Sequence, residues 1–81
     1  MSDRIFILIE TESGRSEEVY AALKRLNGVR TIDLVTQPYD IIVVAEGKTA
    51  GDVSLLDRKI EPISGVVRTV VCAASGPALV G

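Results

Sequence analysis

The chain has 81 residues, a formal net charge of −2, no His and one Cys, Cys72. That excludes imidazole catalysis and an internal disulfide, argues against a zinc site, and leaves no block of Lys or Arg to form the electrostatic footprint of nucleic-acid binding. A domain this short buries only about 60% of the surface its unfolded chain exposes, and small domains are usually aided by disulfides, metals or oligomerisation. Oligomerisation is the aid that remains, in keeping with a hydrophobic fraction of 47%.

Ile5-Phe6-Ile7-Leu8-Ile9 is an apolar run rich in β-branched residues, the pattern of a strand buried on both faces. Glu10 to Gly14 reads as the loop that ends it, with Glu10 and Glu12 as solvated carboxylates. Val19, Ala22, Leu23 and Leu26 recur at helical spacing and predict a helix over 16–26. Ser13 or Ser16 would cap its start, Glu17 and Glu18 suit its positive end, and Asn27-Gly28 stops it. Residues 29–36 read as a strand with a wetter face, at or near a sheet edge.

Thr36-Gln37-Pro38-Tyr39-Asp40 is a short polar connection compatible with a hairpin. It leads into Ile41-Ile42-Val43-Val44-Ala45, where no residue is polar. A strand with one solvated face should alternate, so neither face of this strand is expected to meet water. Thr49 and Asp52 resemble a capping box for a second helix. That helix carries Val53, Leu56, Ile60 and Ile63 on its apolar side and Asp57, Arg58, Lys59 and Glu61 on its wet side, and Pro62 limits its length. Gly65 opens a fourth strand, Val66 to Cys72, with Cys72 expected to be a small buried hydrophobe. Residues 74–81 read as an irregular tail.

The order β-α-β-β-α-β predicts an α+β, ferredoxin-like fold: a four-stranded antiparallel sheet with two helices on one face. Leu26-Asn27-Gly28-Val29 and Ile63-Ser64-Gly65-Val66 form a weak internal repeat, each glycine marking a helix end that feeds a strand. Right-handed crossovers put strands one and three in the centre. Their second face would then expose several Val, Ile, Leu and Phe side chains, each worth roughly 1.5–3 kcal/mol when buried. That sum approaches the whole stability of a small domain, so the open face is expected to pack on a second copy, making a dimeric α/β barrel.

No leader peptide is apparent, and no apolar run approaches the ~18 residues of a membrane span; the expected location is the cytoplasm, without membrane association. Gly47 and Gly51 are isolated and form no phosphate loop, and there is no CxxC. No cofactor, metal or catalytic residue is therefore expected.

The chain resembles the RAM domain, the effector-binding half of the leucine-responsive/asparagine-regulator (Lrp/AsnC) family. The resemblance spans about residues 4–73 and rests on Phe6-Ile7-Leu8-Ile9, the Gly28-Val29 step, the turn Thr36-Gln37-Pro38-Tyr39-Asp40, and Gly65-Val66-Val67-Arg68-Thr69. It implies one ligand-binding and oligomerisation domain over 1–81, homodimers joined through their sheets, and dimers closed into a larger ring. It also implies a small molecule, an amino acid or a related compound, bound at contacts between dimers. Gln37, Pro38, Tyr39, Asp40 and Thr69 are the implied ligand-binding residues.

The first strand starts close to Met1, so the resemblance is to stand-alone RAM proteins without a helix-turn-helix, and no direct nucleic-acid binding is expected. Two positions depart from the family pattern. Gln37 stands where the turn usually has Gly, and would hinder a positive φ; Val71 stands where the last strand often has a second Thr. Two further readings are hetero-oligomerisation with full-length Lrp/AsnC regulators and a small dimeric α/β-barrel enzyme. The second is disfavoured because no His or Trp is present to carry the chemistry.

Overall fold

Ile5, Ile7 and Ile9 are buried while the intervening Phe6 and Leu8 are only half-buried. That alternation of burial without alternation of polarity organises the whole sheet. A computed structural model describes residues 3–47 and 50–74. Its elements are β1 (Asp3–Thr11), α1 (Ser16–Leu23), β2 (Val29–Leu34), β3 (Ile41–Gly47), α2 (Ala50–Ile60) and β4 (Val66–Ala74). All strand pairs are antiparallel, in the order β2-β3-β1-β4. The two apolar runs are thus the central pair, as expected for a ferredoxin-like fold.

Cross-strand register sorts the side chains, because paired residues share a face. On the helix-covered face, Ile5 lies between Ala45 and Ala73, Ile7 between Val43 and Val71, and Ile9 between Ile41 and Thr69. Val19 and Leu23 of α1 and Leu56 and Ile60 of α2 close this layer into one core. On the other face, Phe6 lies between Val44 and Cys72, and Leu8 between Ile42 and Val70. Phe6, Leu8, Ile42, Val44 and Val70 are half-buried, and among the described residues no helix packs over them. Thr31 and Asp33 of β2 extend these rows to an exposed edge.

Cys72 corrects the sequence reading. It is exposed, because its strand is an edge strand and its register places it on the open face. Element ends also move. Glu10 and Thr11 belong to β1 rather than to the following loop, since they continue the ladder to Arg68 and Val66 of β4. The first helix ends at Leu23, and Leu26 packs on the core from the turn beyond it. The second strand stops at Leu34, whereas the fourth runs on to Ala74.

Neither serine caps α1. Arg15 occupies that position with no side-chain cap bond, and the Ser16 hydroxyl is taken by Thr11 Oγ1 at 2.8 Å. Arg15 instead ties local carboxylates to the second half of the chain: Nε donates to Glu18 at 2.7 Å and Nη2 to Ser64. The guanidinium hydrogen bond holds the Glu18 carboxyl below its ordinary range. The capping residue expected for α2, Thr49, and the tail from 75 onward lie outside the described residues. Among the described residues no helix is long and apolar enough to cross a membrane.

The repeat is physical. Gly28 and Gly65 precede β2 and β4 with φ of 94° and 101°, a region that strains any residue with a Cβ. They differ in space. A Cβ at Gly65 would meet Val19 Cγ2 at 2.9 Å, whereas one at Gly28 would meet nothing within 4 Å. Gly28→Ala is expected to cost about 1–2 kcal/mol from backbone strain alone, and Gly65→Ala more, because Val19 is locked in the core. Urea unfolding of the two variants measures the difference, and equal midpoints would contradict it.

Candidate functional site

The turn between β2 and β3 is held by three hydrogen bonds. Val35 N donates to the Asp40 carbonyl at 2.9 Å, and Asp40 N to the Ile9 carbonyl at 2.9 Å. Thr11 N donates to Asp40 Oδ2 at 2.8 Å. The last bond matters because Thr11 is only 8% exposed, so its amide has little access to water. Asp40 therefore clamps the turn across the end of β1. The Gln37–Pro38 peptide is cis. No non-glycine residue described has a positive φ, so Gln37 sits in the turn without the backbone strain that replacing a glycine would otherwise bring.

Gln37 and Pro38 are exposed and Tyr39 is half-buried. Tyr39 reaches past β1 to β4. The Arg68 guanidinium carbon lies 5.4 Å from its ring centroid, and Arg68 Nη2 donates to Tyr39 Oη at 3.3 Å. Glu10 is the register partner of Arg68, with its Oε2 3.8 Å from Nη2, beyond hydrogen-bond reach. The β1–β4 register shifts just here, between Glu10 and Thr11, a bulge position of the kind found beside functional sites.

Of the five residues proposed from sequence, Gln37, Pro38, Tyr39 and Asp40 are therefore brought together. Thr69 is not with them. It pairs with buried Ile9 on the helix-covered face, and its Oγ1 donates to Asp57 Oδ1 of α2 at 2.8 Å. Asp57 correspondingly leaves the wet side of α2 and is partly buried. Ile9 and Thr11 of β1 bond the turn through Asp40, Arg68 of β4 meets it through Tyr39, and Glu10 stands beside Arg68 as its register partner. Sequence reading passes over Glu10 and Arg68: Glu10 looks like loop, and Arg68 figures only as part of a strand opening. Their signal is parity, since Glu10 is in phase with Phe6 and Leu8, and Arg68 with Val70 and Cys72.

The cluster offers recognition groups: a guanidinium, a carboxylate, a phenol, an exposed amide and an aromatic plate. No group of three or more His, Cys, Asp or Glu that could hold a metal occurs among the described residues. A separate cleft of about 290 Å³ lies on the helix side, between the Asn27-Gly28 turn and α2, over Ile5 and Ala45. It is at the opposite end of the sheet from the turn and contains none of the proposed residues.

No protein-family model matches the chain, and no curated protein matches it by sequence. Solved structures do. TTHA0845 from Thermus thermophilus superposes with a TM-score of 0.85 at 25% identity, covering 98% of this chain and 99% of that one. AsnC from E. coli superposes with a TM-score of 0.83 at 21% identity, over 98% of this chain. The chain shares its fold with AsnC. It spans 55% of the AsnC chain. The transcriptional regulator NMB0573 of Neisseria meningitidis, crystallised as a complex with L-Met, superposes with a TM-score of 0.75 at 18% identity, over 91% of this chain and 50% of that one.

The hydrogen bonds set two expectations. Asp40→Ala should cost about 1–3 kcal/mol, the penalty of leaving a buried amide unsatisfied, and Thr69→Val about 1 kcal/mol for the lost bond to Asp57. Urea denaturation reads both; an Asp40→Ala midpoint equal to that of the unsubstituted chain would remove Asp40 from its clamping role.

Proposed function

We propose that this chain is a non-enzymatic effector-binding and assembly module of the Lrp/AsnC regulator type, a RAM-like domain over about residues 4–73. It pairs through its open sheet face, assembles from dimers into a larger closed oligomer, and binds a small molecule, an amino acid, at contacts between dimers. The observation that carries this reading is the open apolar face of Phe6, Leu8, Ile42, Val44 and Val70, lying beside a polar turn. Each of these side chains is already half-covered, so completing its burial is worth about 1 kcal/mol. A second copy would cover all five in each protomer at once.

The regulators among the fold's neighbours, and the L-Met bound to one of them, support the ligand class. Gln37 to Asp40 belong to the proposed site as the groups facing a neighbouring dimer. Thr69 contributes by fixing α2 beside β4, and through its strand the position of Arg68.

Light scattering on the full chain should give a mass of two or more 8.6 kDa protomers. Val44→Glu should return it to one, because a charge in the central row cannot be buried unpaired. A single-protomer mass for the unsubstituted chain would overturn the assembly. Calorimetric titration with the twenty common amino acids tests the ligand, and an absence of heat with all of them would overturn that half.

A further inference from the structure

We infer that Arg68 and Glu10 are the two residues that recognise the charged ends of an α-amino acid, Arg68 taking its carboxylate and Glu10 its ammonium, with Tyr39 holding the guanidinium in place. This rests on the proposed ligand reading and adds to it two residues outside the set implied by family resemblance.

The geometry points to it in three ways. First, Arg68 is steadied from one side by Tyr39, through the ring at 5.4 Å and the hydroxyl at 3.3 Å. A guanidinium has five donors in a planar fork that matches a carboxylate, so the contact with Tyr39 orients the fork without exhausting it. Second, Glu10 stands 3.8 Å from Arg68, near enough for its charge to be felt and too far for a hydrogen bond. Both groups thus keep hydrogen-bonding capacity while presenting opposite charges side by side. An α-amino acid carries its own opposite charges on groups separated by a single carbon, so it can lie across the pair with each end on its complement.

Third, the two residues are register partners on adjacent strands, which makes their spacing a property of the sheet rather than of a loop. The clamped turn sets Tyr39 against Arg68 through Asp40 and Thr11. A carboxylic acid without an amine would engage Arg68 only, and an amine without a carboxylate Glu10 only. The pair therefore selects zwitterions over either.

The test uses the full chain and the amino acid that binds it most tightly among the twenty, together with that compound's methyl ester and its des-amino acid. The unsubstituted chain should bind each analogue at least tenfold more weakly than the amino acid. Arg68→Gln should weaken binding of the amino acid at least tenfold and no longer distinguish it from the ester. Glu10→Gln should weaken it likewise and no longer distinguish it from the des-amino acid. Both variants should keep the parent's mass by light scattering and its urea midpoint. Variants that bind like the parent, or that still discriminate both analogues as it does, overturn the assignment while leaving the ligand reading intact. A parent chain that binds none of the twenty overturns both.

Discussion

The structure depends on the pairing of β1 with β3, two strands whose side chains are apolar on both faces. Burial alternates along the pair although polarity does not, so covering one face leaves apolar side chains half-buried on the other. The helices take Ile5, Ile7, Ile9, Ile41, Val43 and Ala45 out of water. The same backbone, by the period of two that every strand obeys, then presents Phe6, Leu8, Ile42 and Val44 on the reverse side. Hydrophobic burial on one face and exposure on the other arise from a single sequence feature.

Polar groups are consequently displaced to the rim. Thr31 and Asp33 occupy one edge of the open face, and Glu10 and Arg68 occupy the end where the apolar rows stop. The turn arrives at that same end because Asp40 bonds the amide of Thr11. With the Asp40 amide bonded to the Ile9 carbonyl, that contact sets Tyr39 across β1 toward β4. A polar cluster drawn from β1, β4 and the turn is built where the core gives out, the place in a small domain where charged side chains can converge without being buried unpaired.

Much of this is legible in the residues. The apolar runs locate the two central strands, helical spacing locates both helices, and Gly28 and Gly65 mark equivalent junctions, both found with positive φ. The likeness to Lrp/AsnC regulators rests on short motifs, and solved structures with the same fold include AsnC itself. The misreadings share a cause. Glu10 and Thr11 look like loop because polar residues at a strand end carry no local mark of pairing. Asp57 looks solvent-facing because its partner, Thr69, lies on a different element. Cys72 looks buried because its strand neighbours are apolar, and only register shows that it lies on the open face beside Phe6. Ser16 looks like a cap because its actual partner, Thr11, lies before the loop.

The sequence by itself determined element type and order, the central position of the two apolar strands and the apolar character of both their faces, since each follows from local periodicity and composition. Only the tertiary structure decided which polar residues meet. Strand register placed Arg68 opposite Glu10 and turned Thr69 to the other side, and the clamp from Asp40 to Thr11 set Tyr39 over Arg68. Register and long-range hydrogen bonds are relations between distant segments, and a one-residue shift in either would have assembled a different site from the same residues.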